Sequence, residues 1–302
     1  MSVFNRMAAA AIPLIPRPVI KRLSRRFIAG ATLEDAMEVA AGLDAQGFGV
    51  TLDVLGESAQ SSAEADRMAS VYGEALMAME AKKLDVELSI KPSALGLLAD
   101  VDECEARMRR VLTDATQRGT VACLDMEDLS CTQKEVDLFL ALKPDFPTLA
   151  IAVQAYLKRS YLDLDRLLAK HSRLRICKGI YVEDDIHLVD RANKDRSAIN
   201  LHFSAHVESC FKAGIFVSVA THDANLIEKV MELACRMGID KSAFEFQMLL
   251  GVCEPLRDKV RDLGFKVRIY VPFGDDWYGY STRRLKENPR VAGYVTKALF
   301  IG

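Results

Sequence analysis

Near its C-terminal end the chain carries two adjacent arginines and a glutamate, Arg283-Arg284-x-x-Glu287. On a helix, Arg283 and Glu287 are four apart and share a face, while Arg284 points about 100° away. A guanidinium is a planar fork that matches a carboxylate, and an anionic side chain beside two such forks can hold an amine. The three groups together would receive a small zwitterion such as an amino acid. The plain alternative is a solvated helix face with one ion pair, which is the common outcome for so short a pattern.

The elements that must position these groups are read from recurring apolar runs. They lie at 48–55, 86–90, 121–126, 149–155, 174–177, 216–220, 244–249 and 267–271, each of strand length and rich in Val, Ile, Leu or Phe. Most are followed by a longer stretch with helical spacing. Ser61-Ser-Ala-Glu64 reads as a capping box leading into Met68, Val71, Tyr72, Leu76 and Met79. Thr132-Gln-Lys-Glu135 reads as another, leading into Val136, Phe139 and Leu140. Eight strands alternating with helices predict an α/β fold, a (β/α)8 barrel. A doubly wound sheet is the alternative. A dinucleotide site on such a sheet would show a glycine-rich turn, and neither Gly-x-Gly-x-x-Gly nor Gly-x-x-x-x-Gly-Lys-Ser/Thr occurs.

Composition narrows the class. Half of the 302 residues are hydrophobic and 27% are charged, which suits a soluble protein with a large core. The net charge of −2 gives no footprint for nucleic acid. Seven scattered cysteines without a Cys-x-x-Cys pair point to reduced, cytoplasmic thiols. The apolar stretch 7–15 is interrupted by Pro13 and stopped by Pro16, too short to cross a bilayer. Its basic neighbours Lys21, Arg22, Arg25 and Arg26 follow it, whereas a signal peptide has them in front. The expectation is an N-terminal helical segment, 1–45, packed on a barrel over 46–302 that ends in a substrate-capping helix. A peripheral membrane contact is the lesser reading of the N-terminus, and one of two readings of 291–300.

Barrel active sites lie at the C-terminal ends of the strands. Those ends here are polar: Glu57, Lys91, Asp125 with Glu127 and Asp128, Gln154, Arg175 with Lys178, Thr221-His222-Asp223, Glu245 with Gln247, and Arg268 with Tyr270. Charges converging on one mouth must be paired or used. Lys91, before Pro92, could be a Schiff-base nucleophile, or a fixed cation paired with Asp125 or a substrate carboxylate, which is preferred. His202 and His206 are four apart, but no Glu follows the first as in His-Glu-x-x-His, so ordinary helix positions are expected and no metal.

Leu55-Gly-Glu57, Ser89-Ile-Lys91-Pro92, Leu124-Asp125-Met-Glu127, Gln154-Ala-Tyr156 and Lys178-Gly179-x-Tyr181 form an ordered series along the chain. It continues through Ala220-Thr-His222, Glu245-Phe-Gln247-x-Leu249, Arg268-Ile-Tyr270-x-Pro272 and Tyr280-x-x-Arg283-Arg284-x-x-Glu287-Asn288. The series resembles the proline dehydrogenase family over roughly 48–288, in a bacterial single-function form. The resemblance implies a distorted TIM-like barrel with non-covalently bound FAD. It implies oxidation of L-proline to Δ1-pyrroline-5-carboxylate by hydride transfer to FAD, with electrons passed on to a quinone of the membrane. It implies that Arg283, Arg284 and Lys91 hold the substrate carboxylate, with Glu287 near the amine and Asp125 orienting Lys91 and Tyr270. Tyr181, Leu249, Tyr270 and Tyr280 would shape the ring pocket, and Glu57 would pair with Arg283 when the site closes. FAD contacts fall on Gln154, Arg175, Lys178, Gly179, Thr221, His222 and Gln247. Ile180 stands where the family leads one to expect alanine, which bears on proline against hydroxyproline or another cyclic imino acid. The segment 183–198 does not match well enough to assign adenosine contacts. A Lys91 Schiff-base aldolase and a non-catalytic amino-acid binder are the readings from other classes.

Overall fold

The computed structural model describes residue 20 and residues 24–281. Within them eight parallel strands close into a barrel in chain order, each paired with its sequence neighbours and β8 with β1. The elements are α1 (Leu33–Asp44), β1 (Gly49–Val54), α2 (Ser62–Lys82), β2 (Val86–Ile90), α3 (Val101–Gln117), β3 (Ala122–Leu124), α4 (Leu129–Leu142) and β4 (Ala150–Gln154). They continue as α5 (Ser160–Leu168), β5 (Arg173–Cys177), α6 (Ile199–Lys212), β6 (Val217–Ala220), α7 (Ala224–Met237), β7 (Phe244–Leu249), α8 (Glu254–Asp262) and β8 (Val267–Phe273). The eight expected strands are these eight, shifted by one or two residues at most ends.

The outward residues of the strands and the inner faces of the helices form one apolar core, which includes Val50, Leu52, Tyr72, Leu88, Ile151, Ile176 and Phe246. The inward residues are different. Thr51, Asp53, Glu87, Ser89, Gln154, Arg175, Ser218, Glu245, Gln247 and Arg268 are polar and buried. A closed barrel filled with polar groups must pair them internally.

At the N-terminal end it does so with a cluster of opposite charges. Arg268 donates to both carboxylate oxygens of Glu245 at 3.1 Å and to Asp85 Oδ1 at 2.8 Å. Arg173 reaches Glu87 and Glu245. Gly49 lies opposite Arg268, and a Cβ there would sit 3.0 Å from the guanidinium carbon, so the missing side chain makes room for this cation. Arg268 and Glu245 therefore build the floor of the barrel rather than the polar mouth to which their strands suggested assigning them.

The two capping boxes fare differently. Ser61 caps α2 by accepting from Glu64 N–H at 3.3 Å, although Glu64 returns its carboxylate to Gln60 N–H. Thr132 caps nothing. The helix begins at Leu129, and Asp128 is its cap, accepting from Ser130 N–H at 2.9 Å. Thr132 lies inside the helix and donates to Asp128 O, while Glu135 turns inward to accept from Glu127 N–H. An aspartate directly ahead of the first helical residue outcompetes a threonine already inside the helix.

His206 on α6 is fully buried against the Tyr161 ring at 4.5 Å, and neither of its ring nitrogens has a partner. Tyr161 instead bonds His202 Nδ1 at 2.7 Å. Burial, with a smaller push from His202, lowers the His206 pKa to about 4. The unfolded chain protonates this imidazole near 6.5 and the folded chain only near 4, so the stabilisation is present above pH 6.5 and is lost as pH falls. The expected loss between pH 7 and pH 5 is about 2 kcal/mol. Urea midpoints measured at both pH values for His206→Leu are expected to show that loss removed; an equal drop in the variant sinks the assignment.

Candidate active site

The C-terminal mouth of the barrel is organised around Asp125, which follows β3. Its carboxylate accepts from three directions: Ser89 Oγ at 2.5 Å, Arg175 Nη1 at 2.6 Å and Tyr270 OH at 2.7 Å. The Arg175 guanidinium also lies 5.4 Å from the centre of the Tyr270 ring. Burial pushes the Asp125 carboxyl up, but Lys91 and Arg175 more than offset this and hold it below the usual range.

Lys91 lies at the end of β2, nine-tenths buried. Tyr72 OH accepts from its backbone N–H at 3.1 Å. Its ammonium donates to Asp53 Oδ1 and stands 3.6 Å from Asp125 Oδ2. The nearest carboxylate is thus Asp53, which the sequence expectation missed, and Asp125 comes second. Burial alone would lower the Lys91 pKa; Asp53, then Tyr270 and Asp125, raise it well above the ordinary lysine value. Asp53 sits inside an apolar strand, and its signal was parity: Gly49, Thr51 and Asp53 face inward together.

A second chain of bonds holds the turn carrying Glu57. Ser93 donates its hydroxyl and its N–H to the two oxygens of Glu127, and accepts from Ser58 N–H at 3.0 Å. Glu127 N–H in turn donates to Glu135 Oε1 at 3.0 Å. Burial, then the neighbouring Glu127, push the Glu135 carboxyl well above its usual value. Cys131 brings its sulfur to the same corner, within 4.8 Å of ligand atoms of both acids. The half-buried Glu57 is near enough to add to the upward push on the Asp53, Glu127 and Tyr181 pKa values, behind burial in each case.

The residues expected to contact a cofactor lie on or just after β4 to β7. Gln154 donates to Glu127 O at 2.7 Å, and its buried Oε1 has no partner among the described residues. Arg175 uses Nη1 on Asp125, while its buried Nε and Nη2 have no partner among the described residues. Lys178 pairs with Asp223 at 2.8 Å. Thr221 Oγ accepts from Asp223 N–H at 3.2 Å. His222 Nε2 accepts from Leu249 N–H at 2.8 Å, which fixes the neutral ring with its proton on Nδ1. Gln247 is anchored from below, donating to Glu245 Oε1 at 2.8 Å. Gly179 has φ +93, and a Cβ there would lie 2.2 Å from the Tyr156 ring, so the glycine admits that ring and a conformation other residues resist. Tyr156 OH donates to Tyr181 O at 3.3 Å and so ties down the segment bearing the half-buried Ile180 and Tyr181.

Buried donors and acceptors without partners cost free energy unless something else satisfies them. Arg175 and Gln154 hold two such donor nitrogens and one such acceptor oxygen on adjacent strands of the barrel. An isoalloxazine edge presents carbonyl acceptors and an N–H donor, so this set fits a flavin.

Tyr280 is buried with Ile28 and Leu55 in a small apolar cluster, against which Trp277 packs. The chain leading to the C-terminal motif is thereby docked beside the end of β1. Arg283, Arg284 and Glu287 lie outside the described residues. Among the described residues, no helix is long and apolar enough to cross a membrane.

The model of the family described as proline dehydrogenase matches residues 36–297. The chain is 33% identical over 276 residues to proline dehydrogenase 1 of Bacillus subtilis subsp. natto, covering 91% of this chain and 90% of that one. It is 33% identical over 307 residues to the proline dehydrogenase of Deinococcus radiodurans, covering 97% of each. Among solved structures it is similar to proline utilization A from Bdellovibrio bacteriovorus inactivated by N-propargylglycine, with a TM-score of 0.82 and 24% identity. That likeness spans 89% of this chain but 33% of the other, so it speaks for the fold.

Proposed function

The chain belongs to the proline dehydrogenase family, and from that premise we propose that it oxidises L-proline to Δ1-pyrroline-5-carboxylate with FAD, and that the electrons go on to a quinone. The observation that carries this reading is the convergence of Lys91, Asp125, Arg175 and Tyr270 at the mouth of the barrel. FAD, when bound, supplies the acceptor for the hydride that leaves the proline ring. Gln154, Arg175, Lys178, Gly179, Thr221, His222 and Gln247 are the residues proposed to hold it. The cationic Arg175 and Lys178 favour negative charge in their neighbourhood, which suits a site that must accept electrons.

Lys91, Arg283 and Arg284 take the substrate carboxylate, and Glu287 lies near its amine. Asp125 keeps Tyr270 and Arg175 in register across the mouth, and Tyr181, Leu249, Tyr270, Tyr280 and Ile180 bound the ring. Pairing of Glu57 with Arg283 closes the pocket and excludes water. Ile180 is bulkier than alanine and narrows the ring site, which favours proline over a hydroxylated ring. A Schiff-base role for Lys91 needs a neutral amine, and the carboxylates of Asp53 and Asp125 beside it favour the ammonium. The protein is proposed to act in the cytoplasm, peripherally at the membrane where its quinone resides.

The test is anaerobic mixing of the FAD-reconstituted protein with L-proline while the oxidised flavin absorbance is followed. Bleaching is expected with L-proline and to a much smaller extent with hydroxyproline. No bleaching by either overturns the reading, and equal bleaching overturns the role given to Ile180.

A further inference from the structure

Asp53 is a buried carboxylate next to the C-terminal end of a strand whose outward residues are all apolar. Putting a carboxylate there costs several kcal/mol unless a cation meets it. The cation is Lys91, whose ammonium donates to Asp53 Oδ1. The pair joins β1 to β2 at the level where the barrel opens, and Asp53 lies opposite Ser89, itself bonded to Asp125.

A lysine is a point charge on a four-carbon stem, and it has no preferred direction of its own. To present a donor at one place it must be held at both ends. Tyr72 holds the backbone end through the Lys91 N–H. Asp53 holds the ammonium end, with Asp125 Oδ2 farther off at 3.6 Å. An ammonium has three donors, so at least one remains to point into the mouth. We propose that Asp53 is a positioning residue for the reaction: it fixes the Lys91 ammonium, and keeps it charged, so that this remaining donor meets the substrate carboxylate. The proposal rests on Lys91 being a carboxylate contact, as argued above.

The charged and titratable groups around Lys91 come from every side of the barrel. Asp53 and Glu57 belong to β1 and its following turn, Asp125 and Glu127 to the end of β3, Tyr72 to α2, Tyr181 to the segment after β5 and Tyr270 to β8. Arg175 is bound to Asp125 and opposes a positive charge on Lys91. Of these groups, Asp53 makes the direct contact and does most to raise the Lys91 pKa. Burial pushes Asp53 itself up to about 6, with Lys91 pulling the other way.

The experiment compares wild type, Asp53→Asn and Asp53→Glu as full-length, FAD-reconstituted protein. Two quantities are read: KM and kcat for L-proline, and the pH dependence of acylation of Lys91 by an amine-specific reagent, mapped by peptide mass spectrometry. For Asp53→Asn the midpoint of Lys91 labelling is expected to fall by at least about one pH unit, and KM to rise about tenfold with a smaller change in kcat. Asp53→Glu keeps the charge on a longer stem; its labelling midpoint is expected to stay near wild type while KM still rises. It also serves if the asparagine variant does not fold. A purely structural role would lower the amount of folded protein and move neither readout. An unchanged labelling midpoint in folded Asp53→Asn, or an unchanged KM in Asp53→Glu, overturns the proposal. A shifted midpoint with unchanged KM in Asp53→Asn keeps the ion pair but removes Lys91 from the carboxylate site, and the proposal goes with it.

Discussion

Asp125→Asn is expected to lower kcat/KM for L-proline by about two to three orders of magnitude, because one carboxylate serves three donors and stands beside a fourth. An asparagine fills the same space but offers one oxygen where the carboxylate offered two. Its NH2 group would face Arg175, Tyr270 or Lys91, all of them donors. Tyr270 and Arg175 would lose their common reference point, one proposed to bound the ring pocket and the other a proposed flavin contact. Losing two charge-assisted hydrogen bonds at roughly 1.5–3 kcal/mol each accounts for an effect of that size. Buried Arg175 would also lose its paired carboxylate, while Lys91 keeps Asp53, so stability is expected to fall by about 3 kcal/mol. Asp137→Asn is the control, since Asp137 pairs with Arg166 at 2.8 Å on the surface, with both side chains about half exposed. Exposed pairs contribute about 0–1 kcal/mol. Steady-state kinetics with thermal melts decide the matter. A kcat/KM within twofold of wild type in folded Asp125→Asn would remove Asp125 from its organising role.

The barrel was legible in the sequence because its strands are buried on their outer faces and appear as short apolar runs. Runs 86–90 and 244–249 coincide with β2 and β7 to the residue. The interior was less legible for the same reason. A strand read as one apolar run conceals which of its residues face inward, and so Asp53, inside the run 48–55, went unassigned although it is the partner of Lys91. Depth along a strand was hidden too. Glu245 and Gln247 lie two residues apart on one inward face, yet Glu245 belongs to the charged floor and Gln247 stands above it. Contacts across the mouth join residues 145 apart in sequence, as for Tyr270 and Asp125. Such pairs follow from closure and strand stagger, which no local pattern states. The Thr132 misreading has a local cause. Asp128 and Thr132 are both good caps, and burial of Glu135 decided between them by removing the acid that would complete the threonine's box.

The motif Arg283-Arg284-x-x-Glu287 rests on sequence, and the described residues raise the stakes on it. Lys91 already spends one donor on Asp53, so in its proposed role it would give the substrate carboxylate a point charge and little directional control. Two-point recognition of that carboxylate must come from a guanidinium. Arg284→Lys is therefore expected to raise the KM for L-proline by about ten- to a hundredfold, since one bidentate charge-assisted contact of roughly 1.5–3 kcal/mol becomes a single directed one. The maximal rate should change less, because the charge remains and the hydride-transfer groups are elsewhere. The same substitution at Arg283 has a different signature. Its partner is proposed to be Glu57 as well as the carboxylate, so loss of the fork there slows closure and lowers kcat together with raising KM. Stopped-flow flavin bleaching over a range of proline concentrations separates the two, because saturation reports the carboxylate clamp and the limiting rate reports the closed state. If Arg284→Lys leaves the half-saturating proline concentration unchanged, the fork that grips the carboxylate is not Arg284. Recognition then falls to Arg283 and Lys91 alone, and Glu57 would have to compete with the substrate for the one remaining guanidinium.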